Sequence, residues 1–363
     1  MEGPRPPFEK EYSKVIEFVN NSLRPNQQWN ISEEYPTAFT LANLNNIRVM
    51  FDENEVVSHA LIKPLIVKTP ILLLKVAGIG SVVTASTHRQ QGLSRQILDD
   101  CLKSAENQGC DVALLWTDIP EFYRKFQFEL AGSEYHFKID RDLPNECKGL
   151  KFISGGKIAP EALHQLYQKH AVTTLRSVEE VKRFMKIPNS HIYSAWDQQN
   201  RLVAYAVEGK GADLMGHIHE WGGNLPELFA LLNFIKASTK NNPTLIAPAH
   251  SSNLIRQLNA VGILQQENYL GMIKILRPDL LCAKIKKASR DLGIDDLIFE
   301  KRENEFYIGR PGHIFKTDSL IDVTKLIFGP WKPNEIHPFD PASLEILNRI
   351  FPIDLWLWGW DSV

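Results

Sequence analysis

The sequence lacks an excess of either charge. Its 41 lysines and arginines stand against 43 aspartates and glutamates, a formal net charge of −2. A general nucleic-acid binder normally carries a basic surplus to neutralise phosphates, so that class is disfavoured. Cysteine is scarce. Cys101, Cys110, Cys147 and Cys282 form neither a CxxC pair nor a zinc spacing, and they read as reduced thiols with no marked nucleophile. Long apolar runs are missing too. PILLLKVAGIGSVV and FPIDLWLWGW are interrupted by Lys75 and Asp354 and fall short of the roughly 18 apolar residues of a membrane span. The opening MEGPRPPFEKEY has no apolar signal-peptide core. These absences lead us to expect a cytoplasmic protein without a nucleic-acid or membrane partner.

What is present is globular. Hydrophobic residues at 44% and charged residues at 23% exclude global disorder. A chain of 363 residues exceeds the usual single domain, so two or three domains are expected.

The pattern of apolar residues gives the elements. Tyr12, Val15, Ile16, Val19 and Leu23 repeat at helical spacing and predict an amphipathic helix. IRVMF, an acidic DENE turn and VVSHALIKPLIV follow as strands. Pro70 separates them from ILLLKVAGIGSVVTAS, another strand, and the meander reads as antiparallel. The period then changes: Leu93, Ile97, Cys101, Leu102 and Ala105 line one face of a helix that Gly109 ends. CDVALLW is a buried strand, PEFYRKF a short helix opened by Pro120, and FELAGSEYHFKI a single strand.

From about residue 150 a similar order recurs, a duplication of architecture rather than of sequence. PEALHQLYQKHA and SVEEVKRFMKI are helical, the second with a capping box of Ser177 and Glu180. SHIYSAW, RLVAYAVEG and ADLMGHIHEW are strands. ELFALLNFIKAS is a helix, TLIAPAH a strand, SNLIRQLNAVG a helix and NYLGMIKIL a final strand. His217 and His219 share one strand face while Glu220 points to the other, so at most two ligands converge and no metal is expected. Beyond Pro278 come a helix (CAKIKKASRDLG), strand with a turn (EFYIGRPGHIFKT) and an amphipathic helix (SLIDVTKLIFG). Pro330, Pro333, Pro338 and Pro341 mark an extended connection. Three tryptophans in FPIDLWLWGWDSV predict a docked terminus, since a free tail would not expose that much aromatic surface.

One corner carries chemistry. THRQQGLSRQIL, Thr87 to Leu98, turns from strand to helix. A helix N-terminus offers about four backbone N–H groups without internal partners and a dipole that favours anions. Gly92 removes a blocking side chain, Arg89 adds charge, Ser94 offers a hydroxyl, and Gln90 and Gln91 offer amides. Nearby, Phe122 and Phe126 form an i, i+4 apolar pair, which points Tyr123 off that face with an available hydroxyl. A tyrosine of ordinary pKa near 10 is acidic enough to protonate a departing thiolate.

RQQGLS resembles the Q/R-x-x-G-x-G/A motif of the GNAT superfamily of acyl-CoA-dependent N-acyltransferases, departing from it at Ser94. The strand before, the helix after, CDVALLW and the FYRKF helix match the family's order. The resemblance implies that the strand before the motif splays from its neighbour and takes a pantetheine arm. It assigns Val82, Val83 and Thr84 to the cofactor, and Arg89, Gln90, Gln91, Gly92, Leu93 and Ser94 to its pyrophosphate, with Arg95 touching a phosphate. The Val82 N–H would stabilise the thioester oxygen. Tyr123 stands where such enzymes keep their general acid, in a pattern like FYxxFGF whose glycine is Gln127 here.

The whole chain resembles the enhanced-intracellular-survival type of acetyltransferase. That implies an α+β fold of tandem GNAT-like domains, with mixed, mostly antiparallel sheet and flanking helices, followed by a small sterol-carrier-like α/β domain. The expected divisions are a catalytic domain over 1–148, a degenerate GNAT-like domain over 149–279, and a third domain over 280–363 on the strength of GRPGHIFKTDSLIDVTKLIFG. It also implies a homo-oligomer, and a terminal carboxylate, that of Val363, carried into the site by WLWGWDSV to deprotonate the amine. The expected activity is acetyl-CoA-dependent N-acetyl transfer to a primary amine by direct attack. The slight net acidity points to a small cationic amine, a polyamine or a lysine side chain. The alternative is a non-catalytic acyl-CoA sensor or scaffold, and a lipid-binding carrier is a further rival.

Overall fold

The computed structural model describes residues 1–363. Its first unit opens with β1 (Glu2–Arg5), α1 (Tyr12–Leu23) and the short α2 (Ile31–Glu34). A meander follows: β2 (Ile47–Asp52), β3 (Glu55–Lys68) and β4 (Leu73–Thr84). The DENE turn closes on two central residues at positive φ, Glu53 at 46° and Asn54 at 71°, the backbone twist a two-residue hairpin requires. α3 (Leu93–Asn107), β5 (Val112–Leu115), α4 (Pro120–Arg124) and β6 (Glu129–Ala131) complete the unit. α3 buries Leu93, Ile97, Leu98, Cys101, Leu102 and Ala105 in the same apolar cluster as Ala60, Ile62, Ala77 and Ile79. α1 buries Val15, Ile16 and Val19 in another cluster, with Val49, Phe51 and Leu61. Alternate residues of the strands thus feed helices on opposite faces.

The second unit contains β7 (Glu134–Lys138), β8 (Lys151–Ser154), α5 (Pro160–Tyr167), β9 (Thr173–Thr174) and α6 (Val178–Phe184). β10 (His191–Trp196), β11 (Leu202–Lys210), β12 (Asp213–Gly223), α7 (Leu225–Ser238), β13 (Thr244–Pro248) and α8 (Ser252–Ala260) follow. The Ser177 capping box with Glu180 forms. β14 (Gln265–Asn268) and β15 (Gly271–Ile275) end it.

The two sheets exchange strands. The first has the order β1-β2-β3-β4-β5-β15-β6 with β9 added to β3, and the second β14-β7-β13-β12-β11-β10-β8. FELAGSEYHFKI is therefore two strands in different sheets, not one. Gly132, at φ +72° and against Leu270, makes the break where only glycine avoids strain. NYLGMIKIL divides likewise between β14 and β15. The sheets interlock across residue 148.

α9 (Pro278–Asp291) leads to an antiparallel sheet of β16 (Ile298–Arg302), β17 (Glu305–Arg310) and β18 (His313–Thr317), then α10 (Leu320–Phe328). The proline-marked stretch is not extended throughout. Pro333 opens α11 (Pro333–Ile336) and Pro341 opens α12 (Pro341–Asn348), because a first-turn proline sacrifices no helical hydrogen bond. The tail docks as expected: Trp356, Trp358 and Trp360 are all buried. One apolar cluster runs continuously from Val67 of the first sheet through Trp221 of the second to Phe299 of the third.

Candidate active site

β4 and β5 are the parallel pair at the centre of the first sheet. Their rungs run from Val76↔Val112 to Gly78↔Leu114 and stop there. β4 continues to Thr84 paired with β3 alone, so its other edge is free backbone beside the end of β5. A bulge marks the split. Between His59↔Val83 and Leu61↔Gly80 the register shifts, setting Ser81 and Val82 opposite Ala60, and Ser81 takes φ +52°. An extra residue of this kind re-aims the backbone. Val82 and Val83 are half-buried along the free edge and Thr84 is buried.

The bulge has an internal support. His59 Nδ1 lies 2.8 Å from the Ser81 carbonyl, which can only accept, so Nδ1 carries the proton. Burial pushes the His59 pKa down to about 4, and its other nitrogen is buried without a partner.

At the end of β4 the corner is open. Gly92 caps α3 at φ +78°, and a Cβ there would meet nothing within 4 Å. Gln90 is also at positive φ, 63°. Arg89, Gln90, Gln91 and Arg95 are exposed and Leu93 is anchored in the core. No side chain caps the helix. Arg89 Nε reaches only the Thr84 carbonyl, at 3.5 Å. Ser94 is engaged from the side: its hydroxyl is 2.8 Å from Thr84 Oγ1, which is 2.9 Å from Ser58 Oγ. That hydroxyl chain ties α3 to β4 and β3. A free β4 edge leading to uncapped amides beside arginine suits an extended ligand that ends in phosphate.

Tyr123 differs from the expected orientation. It is the buried ring of α4, 7% exposed, while Phe122 is only half-buried. The helix has five residues, too few for an i, i+4 face to orient it, and Tyr123 packs edge-on to Phe122 and Phe128. Burial raises its pKa above the ordinary value, which keeps the phenol protonated.

Sequence reasoning missed most of the opposite wall. A cavity of about 390 Å³ is lined by Tyr35, Trp116, Asp118, Glu134, Asp213, Trp356 and Val363, among others. Tyr35 donates its hydroxyl to Asp213, which Arg24 also approaches at 2.9 Å. Asp118, just beyond β5, is exposed and makes no ion pair. These residues come from the turn after α2, the loop after β5, two strands of the second sheet and the tail, and no local motif gathers them.

Val363 enters this cavity. Its backbone carbonyl group lies against Gly80, where a Cβ would sit 2.6 Å from the Val363 carbon, and its side chain lies against Gly78. Those two glycines make the room. The tail is held by buried charge: Arg176 binds Glu220 at 2.6 Å and Asp361 at 2.6 Å, and Thr174 Oγ1 donates to Asp361 at 2.5 Å. Lys210 Nζ donates to Gly359 O at 2.9 Å, Ser362 O at 2.7 Å and Ser362 Oγ at 3.0 Å. Glu220 is committed to Arg176, and His219 Nε2 lies 2.9 Å from the Gly209 carbonyl.

Comparison with known proteins bears first on the first unit. Residues 4–131 match the family model of the acetyltransferase (GNAT) domain. No curated protein matches the sequence significantly. Among solved structures, a GCN5-related N-acetyltransferase from Anabaena variabilis is 16% identical with a TM-score of 0.64, over 98% of this chain and 97% of that one. A conserved protein of unknown function from Enterococcus faecalis is 13% identical with a TM-score of 0.65, over 96% and 95%. Eis1 from Mycobacterium abscessus is 11% identical with a TM-score of 0.60, over 99% and 98%. The architecture of the whole chain is thus a shared one, and its first 131 residues include the match to the GNAT domain model.

Proposed function

We propose that the protein is an acetyl-CoA-dependent N-acetyltransferase acting on a cationic primary amine. The observation that carries this reading is the split between β4 and β5, ending at an open, uncapped α3 corner. Val82, Val83 and Thr84 would hold the pantetheine arm along the free edge. Arg89 to Arg95 would hold the pyrophosphate, with Gly92 leaving the approach clear and Ser94 acting from its bond to Thr84. Acetyl-CoA, when bound, supplies an acetyl group activated as a thioester.

The chain's residues supply the rest. The cavity wall attracts an ammonium group, through the unpaired Asp118 by charge and through Trp116 by its ring face. The carboxylate carried by Val363 takes a proton from that ammonium, leaving a neutral nitrogen able to attack. As the nitrogen–carbon bond forms and the carbon–sulfur bond breaks, the Val82 N–H stabilises the oxygen that gains charge. Tyr123 gives its phenolic proton to the sulfur, a role for which a protonated, buried phenol is suited, and the second proton lost by the nitrogen as it becomes an amide restores the phenol.

Two coarser readings accompany this one. Free cysteines that are mostly buried, with Cys101 and Cys282 pushed up to about 12 and Cys110 to about 11 by burial, support a cytoplasmic setting, and no helix is long and apolar enough to cross a membrane. The α9, three-stranded sheet and α10 succession supports a sterol-carrier-like third unit.

The test is release of free coenzyme A thiol across a panel of mono- and polyamines. Wild type should turn over the polyamines, and Tyr123→Phe should lose most of the rate while still binding acetyl-CoA. Binding without turnover on any amine would favour the sensor reading instead.

A further inference from the structure

The second unit carries no open corner of its own, yet one of its lysines reaches the site. Lys210 ends β11 at 1% exposure. It forms no ion pair within 4 Å, since no carboxylate reaches its ammonium. A buried ammonium has three donors to satisfy. Here all three acceptors belong to the last residues of the chain: Gly359 O, Ser362 O and Ser362 Oγ. The face of the Tyr35 ring, 4.5 Å away, covers the remaining side. One side chain thus binds both ends of the segment that precedes Val363.

The surroundings leave that segment little choice of register. Gly359 lies against His219, where any Cβ would clash with the imidazole ring. Asp361 is fixed by Arg176. Between those anchors and Gly80 stands only Ser362, whose carbonyl and hydroxyl both accept from Lys210. A shift of one residue in the tail would break these bonds together and withdraw Val363 from Gly80.

We propose that Lys210 is a positioning residue that sets the register of residues 359–362 and thereby holds Val363 against Gly80 in the active site. The catalytic part of this inference rests on the function proposed above, but the positional part does not. Lys210 touches neither reacting group. Its effect passes through the tail, so the second unit contributes to the chemistry without binding cofactor.

The test uses the full chain. Lys210→Met keeps the length of the side chain and removes its three hydrogen bonds to Gly359 and Ser362, so a lowered melting temperature with a retained cooperative transition is expected. If Lys210→Met fails to fold, Lys210→Gln serves in its place. Carboxypeptidase release of Val363 should be slow in wild type and at least tenfold faster in the variant. The turnover number on the best amine should fall on the order of 10- to 100-fold, as a displacement near 1 Å can produce, with KM for acetyl-CoA within about twofold. In a chain ending at Ser362, the same substitution should have no further effect on turnover. Equal carboxypeptidase protection in the variant would overturn the proposal. So would a turnover loss of the same size in the shortened chain, because Lys210 would then act by another route. Faster release with unchanged turnover would support the positional role while contradicting Val363 as base.

Discussion

The two large sheets contain the same split and put it to different uses. In the first, β4 and β5 part after Gly78↔Leu114 and the opening leads to the Gly92 corner. In the second, β12 and β13 share only His217↔Thr244 and Ile218↔Leu245 before β12 runs on to Gly223. There the gap is closed by the protein itself. The Trp221 indole donates across it to Ile246 O at 3.0 Å, and Trp358 of the tail packs 5.2 Å from the Trp221 ring. The turns differ as well. Residues 85–92 separate β4 from α3, whereas Asn224 alone separates β12 from α7. A long corner with arginine and an αL glycine leaves the α3 amides open, whereas a one-residue corner beside a tryptophan-filled gap is core. The plugged split also serves the open one, because the tail that fills it continues to Val363.

The comparison can be broken most severely by separating the units. A chain ending at residue 148 lacks β15, which lies between β5 and β6 and pairs with both. That fragment should show no cooperative thermal transition, since two strands lose their hydrogen-bonding neighbour and expose their edges. A cooperative transition would mean that the first sheet closes without its exchanged strand. Next in size is the plug. Trp358 is 0% exposed and its indole N–H donates to Val172 O at 3.0 Å. Trp358→Ala should cost about 3–5 kcal/mol in denaturant unfolding, and turnover should fall with it because the tail loses its anchor.

Tyr123→Phe is the corresponding change in the open split. It should lower turnover roughly 100-fold or more and change stability little, because the ring and its packing are kept. Steady-state kinetics with a matched thermal melt separate the two effects. The smallest effect is on pH dependence. Burial holds His59, beside the first split, at about 4 and His219, beside the second, at about 3. In the unfolded chain both titrate near 6.5, so below that value the unfolded state binds more protons. Their contribution is therefore present above pH 6.5 and is lost as pH falls toward 4. Melting temperature measured from pH 7 to pH 4 should fall, and His219→Asn should flatten that fall more than substitution of the exposed His191.

The open split was legible because its parts lie close in sequence. Strand, RQQGLS corner, helix and Tyr123 fall between residues 73 and 124, and their periodicity and turn chemistry are local. The positions of the strands in the sheets were not legible. Nothing within FELAGSEYHFKI says that its halves join different sheets, since both halves are extended and Gly132 is compatible with a bulge as well as a crossing. The Tyr123 orientation failed for a related reason, because helical spacing says little in a five-residue helix. The cavity wall was invisible because Tyr35, Asp118, Glu134 and Asp213 are brought together only by the interlocked sheets. Lys210 left one faint signal, a charge at the end of the apolar run RLVAYAVEG.

The most direct measurement is calorimetric titration of acetyl-CoA into wild-type protein and into Gly92→Val. The account predicts saturable binding to wild type and at least about tenfold weaker binding to the variant, since a β-branched residue is strained at φ +78° and covers the uncapped amides. Absence of binding to wild type, or equal binding to both proteins, would contradict it.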